Sequence, residues 1–402
     1  MPNTLASKQN LPHEFTEDGR IRAVIDAVLP AVDGGRFAVK RVAGESVKVT
    51  AHCFTDGHDV LRVMLRWRAE DQTEAREVPM RPLGNDVWEA EFVLPAAGRY
   101  RYTVTAWSDP FESWRHEMTR RIDADDIRIA SRIGAIEIAA TAERARGADR
   151  KTLSQWAQNL ETAAAARAAD VTALKALALD DTLAELAAHY PDRRLATQFP
   201  VELPLIAERE RARFSAWYEL FPRSTAIKPG SHGSFKDVEA RLPAIAAMGF
   251  DVLYFPPIHP IGREQRKGKN NALAAGPDDV GSPWAIGAAE GGHKSILPAL
   301  GTPEAFRHLV AAAAGRGIEI ALDIAFQCAP DHPYVKAHPD WFRWRPDGSV
   351  QYAENPPKKY QDIYPFNFES EDWRALWAEL KSVMDHWIGE GVKIFRVDNP
   401  HT

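Results

Sequence analysis

The strongest constraint on the fold of this chain is an alternation of short apolar segments and helical segments that begins near Phe214. Apolar segments without a period of two are typical of strands buried on both faces, as the strands of parallel sheets are. Capping signals begin the intervening helical segments, at residues 234–237, 302–304 and 370–372, and glycines follow the helices. We therefore expect four β/α repeats with right-handed crossovers. The predicted strands cover residues 216–221, 251–255, 318–324 and 392–398.

Long polar segments follow the second and third predicted strands, at residues 256–301 and 327–369. Loops of this length are uncommon unless they are functional. In a (β/α)8 barrel, the loops after the carboxyl ends of the strands build the active site. We therefore predict that residues 206–402 form the first half of a catalytic (β/α)8 TIM barrel, with a loop subdomain inserted at about 327–370. Four strands do not close such a barrel, so either the sheet is open or the other half lies beyond Thr402.

An antiparallel domain is predicted before the barrel. In residues 61–68 every odd position is apolar and arginine fills three of the four even ones. That period of two is typical of a strand with one face on a core and one in water. Residues 99–107 repeat the pattern, and further strand segments occur at residues 47–53 and 86–94. Their spacing predicts an N-terminal β-sandwich over residues 1–118.

An alanine-rich region separates the two sheet regions. Its leucines recur at helical spacing, and Asp170 and Asp181 stand where N-caps are expected. We predict a helical bundle domain over residues 119–205, whose composition favours packing and subunit contact.

Composition and charge exclude several classes of function. The formal net charge of −6 argues against non-specific binding to nucleic acid or membranes, which needs a basic surface. The two cysteines, Cys53 and Cys328, are far apart and predict neither a disulfide framework nor a metal-ligand cluster. No segment has the apolar length of a signal peptide or a membrane span. We therefore expect a cytoplasmic protein without a metal or another cofactor.

Asp398 ends the fourth predicted strand on the face that carries the long loops. By itself, a strand-end aspartate is more often a turn former or a helix cap. Arg396 lies two residues earlier on the same side of the strand, where its guanidinium can keep the carboxylate ionised and oriented. Such a carboxylate is what nucleophilic attack at an anomeric carbon requires.

The segment FRVDNPHT (395–402) resembles the fourth-strand motif of the α-amylase superfamily, glycoside hydrolase family thirteen. The resemblance implies that Asp398 is the nucleophile, that Arg396 binds it, and that Asp323 is a structural carboxylate beside it. Most members have Asn-His after the third-strand aspartate, where this chain has Gln327-Cys328. Most also have a Lys-His pair after the nucleophile, whereas this chain has Asn-Pro before His401. These departures argue against ordinary amylase-like hydrolysis.

One branch of the superfamily has the same departures: enzymes that transfer maltosyl units from α-maltose 1-phosphate to an α-1,4-glucan, releasing phosphate with retention of configuration. The resemblance covers nearly the whole chain, including the sandwich and the helical region, and implies a homodimer. It is carried by AWYELFPRS (216–224), RKGKNN (266–271), GSPWAIG (281–287), EGGHK (290–294), ALDIAFQCAPDHP (321–333), NPPKKYQDIYP (355–365) and FRVDNPHT.

The same resemblance implies a set of residues that bind the sugar phosphate: Lys267, Gln327, Asp362 and Asn399. Further candidates for the phosphate itself are Asn355, Lys358 and Tyr360. A phosphate dianion needs fixed cations, and two basic clusters in the long loops fit that need, although each single cation is more often a solvated surface residue. The clusters are Arg263, Arg266, Lys267 and Lys269, and Lys358 and Lys359. Four tryptophans are candidates either for stacking on sugar rings or for core packing: Trp217, Trp284, Trp341 and Trp344.

The resemblance places the acid/base glutamate and a stabilising aspartate beyond Thr402. We therefore expect the 402 residues to be part of a longer enzyme, inactive alone and poorly stable, because a half barrel exposes its inner layer. Two other classes stay open. One is a hydrolase or isomerase of the same superfamily, and the other is a non-catalytic glucan-binding protein that relies on the β-sandwich.

Overall fold

A computed structural model of the chain describes residues 18–166 and 170–400. The chain divides into two compact units between Arg213 and Phe214. Within the described residues, no helix has the length and apolar character needed to cross a membrane.

Two antiparallel sheets form the base of the first unit. Its elements are β1 (Val24–Leu29), β2 (Val39–Val42), β3 (Ser46–Phe54), β4 (Leu61–Ala69), β5 (Arg76–Pro79), β6 (Arg81–Gly84), β7 (Val87–Val93), β8 (Gly98–Ser108), α1 (Pro110–Arg120), α2 (Ala124–Arg144), α3 (Gly147–Ala165), α4 (Val171–Ala178), α5 (Asp181–Ala188), β9 (Thr197–Gln198) and β10 (Leu203–Glu208). One sheet has the order β1-β3-β7-β6, and the other β2-β10-β8-β4-β5, with β9 paired to β8. Side chains of both sheets share one core, as in the predicted sandwich.

Burial along β4 and β8 shows where the period of two holds. In β4 the odd positions from Leu61 to Trp67 are buried and the arginines between them are partly exposed. The alternation predicted for residues 99–107 is wrong in its second half, where every residue from Tyr102 to Trp107 is buried. The second face is covered because Thr103 donates to the carbonyl of Phe199 and the guanidinium of Arg193 lies over the ring of Trp107.

The helices of the first unit pack on a core of their own. Trp114 of α1 lies against α2 and donates from Nε1 to the carbonyl of Ala130 at 2.7 Å. A Cβ at Gly134 would lie 1.9 Å from the Trp114 ring, so a glycine is required in the middle of α2. The tryptophan therefore fixes how closely these two helices approach.

The predicted domain boundaries at residues 118 and 205 differ from the structure. The first helix begins at Pro110, and the helices end at Ala188. Strand β10 then returns to the sandwich, antiparallel to β8 and parallel to β2. The helical region is thus an insertion in the sandwich. Local sequence patterns do not predict this pairing, because β10 is far from its partner strands in the sequence.

Capping of the helices agrees with the sequence at one of the two predicted positions. Asp170 caps α4 by accepting from the backbone N–H of Thr172. Asp181 was the wrong choice for α5, because the cap is Asp180, which accepts from the N–H groups of Thr182 and Leu183.

The Asp180→Ala substitution is expected to lower the free energy of unfolding by about 1 kcal/mol, because it leaves two helix-end N–H groups without their acceptor. The matched control is Asp181→Ala, whose side chain is 99% exposed and caps nothing. Urea unfolding followed by far-ultraviolet circular dichroism measures both. Equal losses in the two variants would contradict the assignment of the cap.

A parallel sheet with helices between its strands forms the second unit. Its elements are β11 (Trp217–Glu219), α6 (Phe235–Ala247), β12 (Val252–Phe255), α7 (Pro303–Ala314), β13 (Glu319–Ile324), β14 (Gln327–Cys328), α8 (Pro333–Ala337), β15 (Ala353–Asn355), β16 (Lys358–Tyr360), β17 (Tyr364–Pro365), α9 (Trp373–Gly389) and β18 (Ile394–Val397). The main sheet has the order β11-β12-β13-β18, all parallel. The four predicted strands are therefore present and adjacent in chain order.

Helix starts in this unit follow the predicted signals in two cases. Ser234 and Asp237 form a complete capping box before α6, and Thr302 caps α7. Helix α9 begins after Asp372, the last residue of its predicted opening. Residues 327–365 contain the short strand pairs β14-β17 and β15-β16, the short helix α8 and a 3-10 turn at Pro339–Trp341.

The two faces of the main sheet differ in character. One face packs with the helices in a large apolar core that includes Leu253, Phe255 and Leu322. The opposite face has a small apolar cluster of Val252, Tyr254, Ala321 and Ile394. Since alternate residues share a face, Asp323, Arg396 and Asp398 follow this second cluster toward the carboxyl ends of the strands. That alternation brings the polar groups together at one edge of the sheet.

Candidate active site

The carboxyl ends of β13 and β18 bring two carboxyl groups and one guanidinium into contact. Asp323 and Arg396 are register partners in the parallel pair. Nη1 of Arg396 donates to Oδ2 of Asp323 at 3.1 Å and to Oδ1 of Asp398 at 2.5 Å. The contact that the sequence predicted between Arg396 and Asp398 is present, and the same nitrogen also binds the second carboxyl group.

Asp323 lies deepest in this group, with its side chain fully buried. Burial raises the pKa of its carboxyl group to about 6, against the lowering effect of the Tyr254 hydroxyl and of Arg396. Tyr254 donates to Oδ2 in a short hydrogen bond. Oδ1 of Asp323 and Nε1 of Trp284 are both buried and have no hydrogen-bond partner among the described residues. Trp284 also lowers the pKa of Asp323, against the effect of burial.

A cavity of about 1280 Å³ opens beside these groups. Seven of the sequence-predicted site residues line it: Lys267, Gln327, Asn355, Tyr360, Asp362, Asp398 and Asn399. The cavity is therefore bounded by both long loops and by the end of β18. A space of this size with a few convergent polar groups is typical of a small-molecule site.

Lys267 contributes a buried positive charge to the cavity wall. It is only 7% exposed, and its Nζ donates to Oε1 of Gln361 at 2.7 Å. Within the described part of the chain, no carboxylate oxygen lies within 4.0 Å of Nζ. Burial raises the pKa of the neighbouring Asp362, and the charge of Lys267 opposes that shift. The lysine is thus held by a neutral partner, which leaves its charge available to an anion.

Two amide side chains beside the carboxyl groups are held in defined positions. Nδ2 of Asn399 donates to Oδ2 of Asp398 at 3.1 Å, and Asn399 has a left-handed φ of 42°. Nε2 of Gln327 donates to the carbonyl of Trp284 at 3.0 Å. His401, part of the predicted motif, lies outside the described residues.

Several predicted cations do not reach the cavity. Arg263 forms an ion pair with Glu290, and Arg266 donates to the carbonyls of Ile261 and Gly262 at 2.8 and 2.7 Å. Lys358 is exposed on β16 and is not among the residues that line the cavity. The prediction that both basic clusters face one site is therefore wrong for these three side chains. Arg263 and Arg266 bind groups of their own loops, and Lys358 is exposed to solvent.

Of the four candidate tryptophans, Trp284 alone lines the cavity within the described residues. Trp341 is buried and stacks on His338 with ring centroids 3.8 Å apart, so it is a core residue. Trp217 and Trp344 are partly exposed away from the cavity lining.

A buried cluster near the start of the third-strand loop contains two histidines and a cysteine. The ligand atoms of His293, Cys328 and His332 lie within 4.8 Å of one another, so the expectation that no such cluster forms is wrong. Nδ1 of His332 accepts from the backbone N–H of Tyr334, so its proton is on Nε2, which donates to Nδ1 of His293 at 3.1 Å. His293 donates to the carbonyl of Ala325 at 2.9 Å.

These hydrogen bonds already use every nitrogen of the two rings. An ion on Nε2 of His332 would need the proton on Nδ1, where the Tyr334 N–H already points. The cluster therefore supports the loop that follows β13, on which Gln327 lies.

Two residues of the site were missed by sequence reasoning. Tyr254 lies in a strand that is apolar on both faces. In the paired strands it is on the same face of the sheet as Asp323 and Arg396, and this alternation could have identified it. Arg223 lines the cavity with a half-buried guanidinium that donates to the carbonyl of Gly281 at 3.2 Å. Burial lowers the pKa of Arg223. Nothing local marks this arginine, because its place depends on the loop around residue 281.

The matching family model and the curated relatives carry the same name. Residues 21–209 match the family described as alpha-1,4-glucan:maltose-1-phosphate maltosyltransferase, domain N/S. A protein of that name from Chlorobaculum tepidum is 52% identical over 386 residues, which are 96% of this chain and 57% of the relative. One from Myxococcus xanthus is 52% identical over 387 residues, covering 94% of this chain and 57% of the relative.

A third relative, alpha-1,4-glucan:maltose-1-phosphate maltosyltransferase 1 from Streptomyces coelicolor, is 46% identical over 406 residues, covering 100% of this chain and 59% of its own. The chain thus spans little more than half the length of these curated relatives. Among solved structures, an alpha-amylase from Lactobacillus plantarum has 29% identity and a TM-score of 0.37, with coverage of 46% of this chain and 38% of its own. That likeness is too low for a comparison of the folds.

Proposed function

Because this chain belongs to the family of α-1,4-glucan:maltose-1-phosphate maltosyltransferases, we propose that the whole protein moves maltosyl units from α-maltose 1-phosphate to the non-reducing ends of α-1,4-glucans, for α-glucan biosynthesis. The chain spans 57% of the length of the first two relatives named above, so the activity is proposed for the whole protein. The observation that carries the proposal is the position of Arg396 between Asp323 and Asp398, beside a cavity that the buried Lys267 also lines.

In the first step, Asp398 attacks the anomeric carbon, phosphate leaves, and a β-maltosyl-enzyme forms. Oδ1 of Asp398 accepts from Arg396 and Oδ2 accepts from Asn399. These contacts orient the carboxylate and favour its ionised form. Both carboxylate oxygens of Asp398 therefore accept hydrogen bonds before the donor binds.

In the second step, the 4-hydroxyl of the glucan end attacks the same carbon from the opposite face, so the product keeps the α configuration. This step needs a base about 5 Å from the nucleophile. We place that base, a glutamate, in the part of the relatives' length that this chain does not span.

The phosphate end of the donor is assigned to the side of the cavity that contains Lys267. A buried ammonium binds a dianion more strongly than an exposed one, because less water screens the charge. Asn355 and Tyr360 line the same cavity and are proposed as hydrogen-bond donors. Gln327, Asp362 and Asn399 are proposed to bind the sugar. Lys358 is a weaker candidate, since it lies outside the lining.

The four-stranded sheet is proposed as the first half of a (β/α)8 barrel, supported by its parallel strands in chain order and by a polar site at their carboxyl ends. A homodimer is proposed as well. It is supported by a stripe of exposed isoleucines on α2, Ile129, Ile133 and Ile136, beside a shallow groove. A cytoplasmic location is supported by the two cysteines, which are both buried and free.

The test of this function uses the complete protein with α-maltose 1-phosphate and a short maltooligosaccharide. We expect inorganic phosphate release together with products longer by two glucose units, measured by a phosphate assay and by mass spectrometry. Maltose release without lengthening would indicate a hydrolase, and conversion of free maltose to trehalose in a parallel reaction an isomerase. Glycogen binding without any turnover would indicate a binding protein, and each of these three outcomes refutes the proposed transfer.

A further inference from the structure

The contact between Tyr254 and Asp323 adds a residue to the machinery of the proposed nucleophile. We propose that Tyr254 is a positioning residue: by holding Oδ2 of Asp323, its hydroxyl sets how Arg396 is shared between Asp323 and Asp398. The catalytic part of this inference depends on the proposed function, whereas the part that concerns the ionisation of Asp323 does not.

Three contacts form a chain from Tyr254 to the nucleophile. The Tyr254 hydroxyl donates to Oδ2 of Asp323, and Nη1 of Arg396 donates to that same oxygen at 3.1 Å. The same Nη1 donates to Oδ1 of Asp398 at 2.5 Å. One guanidinium nitrogen is thus divided between two carboxyl groups, and the tyrosine binds the one that does not react. Tyr254 itself is 8% exposed and is not among the residues that line the cavity.

The environment of Asp323 makes its charge sensitive to this single hydroxyl. The groups that act on its charge are Tyr254 on β12, Arg396 on β18, Asp398 directly after β18, and Trp284. Glu219 on β11 acts on Tyr254 in turn. Its second oxygen, Oδ1, accepts no hydrogen bond from any residue in ranges 18–166 and 170–400. Burial raises the pKa of Asp323 to about 6, so little further change is needed to protonate it near neutral pH.

Loss of the Tyr254 hydroxyl removes a donor that stabilises the ionised form of Asp323, so the pKa of Asp323 rises further. Once Asp323 is protonated, Arg396 is attracted to Asp398 alone. The nucleophile is then held more tightly, and its charge is more fully neutralised, which slows attack. Activity that depends on ionised Asp323 is lost as pH falls through the pKa of Asp323. A higher pKa therefore moves that loss to higher pH.

The experiment compares Tyr254→Phe with the wild type in the complete protein, using α-maltose 1-phosphate. We expect the acid limb of the kcat profile to move up by about one pH unit, so that kcat falls about twofold at pH 7 and on the order of tenfold well below the pKa, with KM for the donor nearly unchanged. The matched control is Tyr218→Phe on the neighbouring strand. Its ring packs on Phe250, and its hydroxyl makes no hydrogen bond within the described part of the chain, so its profile should not move.

A second measurement does not need turnover. The protein is labelled with ¹³C at the aspartate carboxyl carbons, and the Asp323 signal is identified by its loss in Asp323→Asn. Its titration is expected to move upward by about one pH unit in Tyr254→Phe. In the Asp323→Asn background, Tyr254→Phe should add no further shift to the kcat profile.

The two readouts separate the possible failures. The proposal is overturned if neither the Asp323 titration nor the acid limb moves in Tyr254→Phe. It is also overturned if kcat falls only in proportion to a lower melting temperature. If the wild type releases no phosphate from the donor, the proposed function fails. The carboxyl titration then still decides whether Tyr254 controls the ionisation of Asp323.

Discussion

Asp398→Asn in the complete protein is expected to lower kcat for phosphate release from α-maltose 1-phosphate by about 10⁴-fold or more, because an amide does not form the covalent intermediate on which both steps depend. The substitution keeps the size of the side chain and an oxygen that can accept from Arg396. KM for the donor should therefore change little, and the folded state should be retained. Initial rates of phosphate release, with circular dichroism as a check of folding, measure the effect.

The matched control for this variant is Asp385→Asn on the exposed side of α9, where the carboxylate pairs with Lys381 one helical turn away. Such an exposed pair stabilises the protein by less than about 1 kcal/mol, so the control should keep wild-type rates. Undiminished growth of the glucan with Asp398→Asn would show that Asp398 is not the nucleophile. Mass spectrometry of acid-quenched enzyme should also find a maltosyl adduct in the wild type and none in the variant.

Lys267→Met is expected to lower kcat/KM for α-maltose 1-phosphate on the order of a hundredfold, chiefly through KM. Lys267 is buried in the cavity wall with the neutral Gln361 as its hydrogen-bond partner, so its charge is weakly screened and not cancelled by a contacting carboxylate. Methionine keeps most of the length and packing of the side chain, which isolates the loss of charge. Steady-state kinetics over a range of donor concentrations measure it.

Lys269→Met is the control, because Lys269 lines the same cavity but is exposed to solvent, which screens its charge. We expect less than about a threefold change for it. A second substrate separates phosphate binding from damage to the site: α-maltosyl fluoride has no phosphate, so Lys267→Met should use it nearly as well as the wild type. Equal losses on both donors would place Lys267 outside the phosphate site.

The secondary structure of the second unit was predictable because its signals are local. The capping box at Ser234 and Asp237 and the hydroxyl and proline at Thr302 and Pro303 each satisfy helix-end groups within one turn. The short apolar strands between these helices were recognisable without information from elsewhere in the chain. The cap at Asp180 was assigned one residue too late because two adjacent aspartates offer the same local signal, and only the backbone geometry separates them.

The charged residues show the limit of such reasoning. Arg263, Arg266 and Lys267 are neighbours in one loop, yet only Lys267 lines the cavity. Arg263 forms an ion pair with Glu290, 27 residues later, and Arg266 donates hydrogen bonds to backbone carbonyls. A basic cluster in a sequence therefore predicts cations near a site, but the loop conformation decides which of them faces the ligand.

By itself, the sequence determined the order of strands and helices, the strand end that carries Asp398, and the proximity of Arg396, because these depend on periods of two and of 3.6 residues and on contacts within a few positions. Only the tertiary structure decided that β10 returns to the sandwich across the helical insertion, and that Tyr254 binds the carboxyl group that shares Arg396 with Asp398. Both depend on pairing between segments far apart in the chain. Such pairing is selected by the burial and hydrogen bonding of the whole unit, and no local pattern encodes it.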